Sequence, residues 1–436
     1  NFEGYVYAHN GGNFDWHYII PFIKDKTDIL FIAGRISEIP FGQAKLRDSY
    51  SLLPVPLKFS GGKEDIDYSK FEKDTREQHK DEILKYLRQD TEATYDFIKA
   101  FFDRFGFGLT LAGLSFAEMN RRENYPVKYI SSDKKDTMFR EFYYGGRTQC
   151  FERGEIRGDI KCADIKSAYP YVMANFPHPA GVQYNSVNEF DPDDKRHLAG
   201  FWEVKCISNG AFPLRGEDDS LTFPVNEKHT FKITGHELKA AWELRLIQCA
   251  QILCGKIPAK TTSFENFVND IYRLRMECTN AGDEVGKLHY KLVMNSSYGK
   301  FAQDPTRFKC YRLMPWGEVP DDEMVQITKH ETIRVKWHRE NTVGDTGLVL
   351  WAREQPEAWK NYYNVGVAAS ITGAARAHLL RGLSNVERPL YSDTDSIYFQ
   401  GGHTLDIGEK LGQWEIEATG DRLYIAGKKL YVLYEG

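Results

Sequence analysis

The segment PLYSDTDSIYF, residues 389–399, restricts this chain more than any other. Two β-prone runs flank a polar tip that carries Asp393 and Asp395, which reads as a tight antiparallel hairpin. Side chains at positions i and i+2 lie on one side of a strand, so both carboxylates could approach one place, although a turn could aim only one of them fully inward. Taken alone, an Asp-rich tip is more often only a turn.

A second acidic position has a related setting. Strand-like GDIKCAD ends at Asp164 and runs directly into helix-like SAYPYVMANF. A carboxylate at a strand end beside a helix N-terminus suits a hard cation and an anionic ligand, because unpaired backbone N–H groups point outward there. The plain reading is Asp164 as a helix cap. A third segment, KLVMNSSYGK over residues 291–300, places Lys291, Asn295 and Tyr298 on one expected helix face, presenting an ammonium, an amide and a ring together. The plain reading there is a solvated lysine beside a core tyrosine. Each segment alone decides little, and the three in this order decide much more.

The rest of the chain gives these segments a setting. GYVYAHN reads as a buried strand with a Gly-rich turn, and DILFIA and YSLLPV read as further strands. Helical spacing of Ile83, Leu87, Phe97, Ile98, Phe101 and Phe105 predicts one long amphipathic helix from Glu77 to Phe105. A polar stretch at 125–137 connects this α/β part to the remainder. Two helical patterns, Ser263 to Cys278 and Glu284 to Tyr298, are separated by TNAG and predict a helical hairpin. Residues 304–362 mix short strands with polar turns and read as an insertion.

Composition excludes little. Lysine and arginine number 57 against 62 acidic residues, a net charge of -5, which still allows a basic channel beside an acidic site. The 7 cysteines form no C-x-x-C pair, so zinc is not expected and a reducing, cytoplasmic compartment is. No apolar run approaches a membrane span, so no membrane partner is expected. The chain opens at Asn1 without methionine and stops at Gly436 after a strand-like run, so a longer polypeptide is expected.

DIKSAYP, KLVMNSSYGK and YSDTDS, in that order, resemble motifs A, B and C of family B DNA polymerases. The resemblance implies that Asp164 and Asp395 hold two Mg²⁺ ions, with Mn²⁺ able to stand in and Asp393 as a supporting carboxylate, for two-metal phosphoryl transfer. It implies that Ser167, Tyr169, Lys291, Asn295 and Tyr298 bind the incoming dNTP, with Tyr169 excluding a 2′-hydroxyl. Motif A of the family usually carries Leu where this chain has Ala168. Further segments look like the protein-primed polymerases of phages and linear plasmids. Tyr143, Gly145 and Gly146 match the Y-x-G-G element that binds template, where glycines let backbone approach a phosphate chain. Lys429 and Tyr431, after LGQWEIE, match the K-x-Y strand at the primer end, and Ser296 and Gly299 of motif B are also expected at DNA.

The N-terminal part resembles an RNase H-like 3′-5′ exonuclease domain. Asn10, Phe14 and Asp15 fit N-x-x-x-F-D, Tyr86 and Asp90 fit Y-x-x-x-D, and Lys63 fits the nuclease lysine, with Asp15 and Asp90 as metal ligands. The first motif, D-x-E on an N-terminal strand, would precede the start of this chain, so efficient proofreading is not expected of the chain as given; the thumb, which would follow the K-x-Y strand, is not expected in it either. The fold expected is therefore multidomain, α/β and α+β: a partial exonuclease domain at 1–130, a linker and right-hand palm with a first insertion at 131–260, helical-hairpin fingers at 261–302, a second insertion at 303–362, and palm again at 363–436. The partners implied are primer-template DNA, dNTPs and a priming terminal protein, in replication with strand displacement. A reverse transcriptase would carry adjacent aspartates in its hairpin. A non-catalytic replication scaffold would have lost Asp164, Asp395 or Lys291, all of which are present. A primer-independent family B polymerase is the alternative within the enzyme class.

Overall fold

The computed structural model describes residues 3–23, 29–32, 34–60, 66–123, 138–304, 308–328, 331–342, 347–355 and 364–435. Lys63 and the polar connection at 125–137 lie outside them. The chain divides into two units. The first comprises Asn1–Glu118, Ile271–Ser297 and Asp304–Lys360, and the second Met119–Asp270, Tyr298–Gln303 and Asn361–Gly436.

The first unit holds a four-stranded sheet in the order Gly4–Ala8, Ala44–Asp48, Arg35–Phe41, Leu30–Ile32, with one parallel pair between the first two. Only part of the strand expectation holds. GYVYAHN does form a strand, paired along one edge among the described residues, but Tyr5 and Val6 are exposed rather than buried. YSLLPV forms no strand; Ser49–Ser51 is a 3₁₀ turn. The strands that sequence reading missed, Arg35–Phe41 and Ala44–Asp48, are rich in charge, and the charges are satisfied across the pair: Arg47 meets Glu38 at 2.6 Å and Lys45 meets it at 2.7 Å. The long helix runs Lys80–Phe105, burying Tyr86, Phe97, Ile98, Phe101 and Phe105, and stops at Gly106 with φ 77°.

The helix Glu284–Ser296 also belongs to the first unit. Asp283 caps it by accepting from the Gly286 N–H at 2.7 Å and pairs with Arg104 at 2.5 Å. His289 packs between Phe97 and Phe101, with ring centroids at 5.0 and 5.1 Å. The expected extension of this helix to Tyr298 does not occur: Tyr298–Ala302 is a separate 3₁₀ turn in the other unit. The second insertion forms a sheet of Lys309–Pro315, Leu348–Glu354 and His338–Thr342, with a hairpin of Glu323–Thr328 and Glu331–Val335. Its Leu313, Leu348 and Leu350 join Trp16, Ile20 and Phe31 in one core.

The second unit is built on a six-stranded sheet in the order Leu430–Tyr434, Trp414–Gly427, Gly154–Ile165, Ser396–His403, Val386–Asp393, Thr148–Cys150. A second sheet, ordered Val225–Thr234, Phe201–Asn209, Ile247–Thr262, His178–Val187, occupies the interval expected for the first insertion. The helix Val365–Leu383 is apolar nearly all round and buried nearly throughout, as such helices must be. Its glycines let neighbours close in: a Cβ on Gly373 would stand 2.2 Å from the Thr234 hydroxyl, and one on Gly382 would stand 2.2 Å from the Trp414 ring. Among the described residues no helix is long and apolar enough to cross a membrane.

Candidate active site

Pairing register brings the two expected aspartate sites together. Asp164 stands opposite Ser396 on one neighbouring strand and opposite Glu415 on the other. The hairpin Val386–Asp393/Ser396–His403 turns through Thr394, at φ 62°, and Asp395. The Ile165 N–H donates to the Asp395 carbonyl at 2.9 Å, so the motif A strand and the hairpin tip are joined by backbone at the carboxylates.

Asp393 and Asp395 differ in their surroundings. Asp393 accepts from Thr394 Oγ1 at 3.1 Å, Thr148 Oγ1 at 3.3 Å and the Tyr391 hydroxyl at 3.4 Å, and forms a close ion pair with Lys429. These donors make it a support for the tip. Asp395 accepts from no other described side chain, and burial first, then the neighbouring Asp393 charge, hold its carboxyl above the ordinary value. A half-buried carboxylate next to another, with no described side chain donating to it, is an environment suited to a cation. Among the described residues no group of three or more His, Cys, Asp or Glu forms a metal cage. Mg²⁺ commonly takes only one or two carboxylates and draws its other ligands from substrate phosphates and water, so Asp164 and Asp395 fit it.

Tyr169 and Tyr298 face each other beside these carboxylates, their rings stacked at 4.8 Å and 6°. Burial pushes the Tyr169 hydroxyl up to about 12, and burial raises Tyr298 too. Ser167, just before the helix Ala168–Asn175, is left-handed at φ 52°, ψ 56°, and its side chain caps nothing. Ala168 is buried in the core beneath. Lys291 and Asn295, both exposed, lie one turn apart on the helix Glu284–Ser296 of the first unit, with Ser296 at its end. Gly299 has open space where a Cβ would be.

The Y-x-G-G element lies against the hairpin. A Cβ on Gly146 would fall 2.7 Å from the Thr394 methyl, and the Thr394 N–H donates to the Arg147 carbonyl at 2.7 Å. Gly145, by contrast, is exposed with open space around it. Tyr143 is half-buried, and its carbonyl accepts from Arg215 at 2.7 Å. Lys429 N–H donates to the Tyr391 hydroxyl at 2.8 Å, and the Tyr431 ring packs on Tyr391 at 4.6 Å. The K-x-Y strand is thus wired to the two-aspartate hairpin.

Sequence reading missed two further features. Arg376, deep in the helix Val365–Leu383, pairs with buried Glu237 at 2.8 Å and donates to the Tyr144 and Gly145 carbonyls at 2.7 and 2.8 Å. Glu237 is also the third residue of a capping box with Thr234. The signal was present: an arginine in the middle of a run of small apolar residues, and T-x-x-E at a helix start. Glu417 sits at a register shift between Ile416 and Ala418, and its charge acts on Asp395. A bulge re-aims a side chain in a way that alternation does not reveal.

In the first unit, Asn10, Phe14, Asp15, Tyr86 and Asp90 line one cavity of about 1270 Å³ together with Tyr7, His9, Tyr68 and Phe102. The GGNFD turn is pinned by Asp48, which accepts from the Gly12 N–H at 3.2 Å and pairs with Arg35 at 2.6 Å. Phe14 is exposed and Asp15 opens a short helix. Burial first, then Tyr68, raise the Tyr86 hydroxyl.

A palm-like sheet that brings motif A to a two-aspartate hairpin, with a tyrosine pair alongside, defines a nucleotide-polymerising enzyme of the right-hand class. Residues 58–376 match the family of DNA polymerase type B, organellar and viral, and the chain belongs to that family. As a member it is a DNA-directed DNA polymerase. It is 40% identical over 437 residues to the DNA-directed DNA polymerase of Enterobacteria phage PRD1, spanning 99% of this chain and 73% of that protein. It is 25% identical to the DNA polymerase of Bacillus phage phi29 over 88% of this chain and 66% of that one, and 25% identical to a DNA polymerase of Kluyveromyces lactis, of which it spans 33%. The structure of phi29 DNA polymerase complexed with single-stranded DNA superposes with a TM-score of 0.72 at 20% identity, over 99% of this chain and 80% of that one. The resemblance to the family B branch of phages and linear plasmids therefore holds.

Proposed function

We propose that the protein copies DNA from dNTPs by two-metal phosphoryl transfer, in protein-primed replication of a phage or linear plasmid genome. The observation that carries the chemistry is the joining of the Asp164 strand to the hairpin turn that holds Asp395, beside the stacked Tyr169 and Tyr298. Asp164 and Asp395 would hold Mg²⁺, which when bound lowers the pKa of the primer 3′-hydroxyl and offsets charge on the departing pyrophosphate. The protein's own part is placement. Tyr169 lies under the sugar and Tyr298 packs on the nascent pair, so that reacting atoms are oriented before reaction. Asp393, held by Thr148, Thr394 and Lys429, keeps the tip from moving as charge develops. Primer-template DNA would run past Tyr143, Gly145 and Gly146 to the Lys429/Tyr431 strand. The cavity lined by Phe14 and Tyr86 would take a single-stranded 3′ end, its rings stacking on bases.

Magnesium-dependent extension of a labelled primer-template tests this, run beside Asp395→Ala and beside a reaction that contains a hydroxyl-bearing priming protein and no DNA primer. Extension should vanish in the variant, and labelled nucleotide should become covalently attached to the priming protein. Extension by Asp395→Ala would refute the palm chemistry. Products begun without DNA primer or priming protein would favour primer-independent initiation.

A further inference from the structure

Lys166, two residues after the motif A aspartate and just before the left-handed Ser167, is held at four points. Lys166 N–H donates to the Gln413 carbonyl at 2.9 Å, and its own carbonyl accepts from the Gly412 N–H at 2.9 Å. Its ammonium pairs closely with Glu415 and reaches Glu409 at 3.2 Å. Glu409 is almost fully exposed, so that bond is weak, whereas Glu415 is half covered and stands on the strand beside Asp164.

Ser167 adopts a conformation that a side chain disfavours, and its own hydroxyl caps nothing. Such a residue persists only where its surroundings over-determine it. The surroundings on its N-terminal side are the Lys166 contacts. On its C-terminal side the helix begins, with Tyr171 N–H donating to the Ser167 carbonyl at 2.9 Å. Tyr169 lies between those two fixed points, ring against Tyr298. The direction in which the helix leaves the strand, and with it the height of the Tyr169 ring, is set by the turn that Lys166 anchors.

We propose that Lys166, clamped by Glu415, is a positioning residue for nucleotide selection: it fixes the left-handed turn at Ser167 and thereby the Tyr169 ring on which the sugar rests. This rests on the reading of Tyr169 as the sugar-contacting ring. Lys166 acts through the turn and touches no substrate. The clamp also neutralises Glu415, which would otherwise stand as an unpaired acid next to Asp164 where a triphosphate must approach.

Single-nucleotide insertion is measured with a dNTP and the matching ribonucleotide on Lys166→Met, Glu415→Gln, the double variant and Lys166→Arg, with a thermal melt of each. Both single variants should raise the KM for dNTP about tenfold, the scale set by the strain of a non-glycine left-handed residue, with little change in kcat. Both should incorporate more ribonucleotide, the double should be no worse than either single, and Lys166→Arg should restore selection. A strong defect in Lys166→Met with a normal Glu415→Gln would overturn the clamp and make Lys166 a direct phosphate ligand. Normal KM and sugar choice in both singles would also overturn it, as would a fall in melting temperature and kcat with no change in KM. Loss of extension in Asp395→Ala alongside secures the palm reading separately, so failure of the clamp and failure of that reading are told apart.

Discussion

Replacing Gly146 with alanine tests how tightly the Y-x-G-G element is fitted to the two-aspartate hairpin. The added methyl would lie 2.7 Å from the Thr394 methyl, 2.9 Å from its hydroxyl and 3.0 Å from its Cβ. Carbon atoms rest comfortably near about 3.5–4.0 Å, so the tip must withdraw by about 0.8 Å or more. The tip cannot yield freely, because Thr394 is bonded to the Arg147 carbonyl on the same strap. Asp395 is the next residue along. A displacement of about 1 Å in a reacting group costs on the order of a hundredfold in rate, so Gly146→Ala should lose about that much in kcat. Single-turnover extension at saturating dNTP measures it, with a thermal melt to confirm folding. Thr394→Gly supplies the control. Position 394 has φ 62°, which glycine adopts without strain, and the change removes every side-chain atom in the clash. It gives up one of several donors to Asp393 and should cost little alone, and the double variant should recover most of the lost rate. Gly146→Ala at near wild-type rate, or no recovery in the double, would refute the steric argument. Gly145→Ala meets no described atom within 4 Å, so any defect there would report on DNA.

Three other outcomes follow from the geometry. Arg376→Met leaves the Glu237 carboxylate buried and unpaired, so it should destabilise the fold by about 3–5 kcal/mol in guanidinium melts, with part recovered by adding Glu237→Gln. His178 and His236 are buried neutral, burial holding their rings down to about 4 and about 3, and His178 donates to the Val172 carbonyl at 2.9 Å. The unfolded chain takes up these protons near 6.5, so stability is full above that pH. It should fall toward acid by about 1.4 kcal/mol per pH unit for each histidine until the folded values are reached. Denaturant midpoints at several pH values check this, and His178→Asn should flatten the slope. Phe14→Ala, which removes an exposed ring from the first unit's cavity, should weaken binding of a short single-stranded oligonucleotide by about 1–3 kcal/mol in fluorescence titration. An unchanged affinity would remove that ring from the stacking surface.

The two-aspartate hairpin and the motif A strand were legible because their information is local: alternation on either side of a polar tip, and a strand running straight into a helix. The pairing that joins them was not local. That Asp164 stands beside Ser396 follows from sheet order, which no window of sequence contains. The helix carrying Lys291 was read too long: Lys291 and Asn295 lie one turn apart on it, but Tyr298, expected on the same face, lies beyond its end. Apolar spacing continues through Tyr298, but backbone geometry tightens into a 3₁₀ turn after Ser296, and Tyr298 meets Tyr169 from that turn. Strands Arg35–Phe41 and Ala44–Asp48 were hidden by charges that are paired across the sheet, and the glycines of Y-x-G-G were assigned one reason where the structure separates them. Gly146 is small because Thr394 is there, whereas a Cβ on Gly145 would meet no described atom within 4 Å.

The order of strands in the six-stranded sheet also governs when the enzyme can come into being. The strand Gly154–Ile165 leaves the ribosome early, yet both of its neighbours, Ser396–His403 and Trp414–Gly427, are made only after residues 166–395. At about 5–20 residues per second the wait is on the order of ten seconds or more, with two strand edges unpaired throughout. The cost of closing so large a loop grows only slowly with its length, so final stability suffers little while folding is slowed. Nascent chains of this protein should therefore depend on chaperone cover of that strand during synthesis. A ribosome that stalls before the hairpin leaves a polypeptide with Asp164 in place and no catalytic centre.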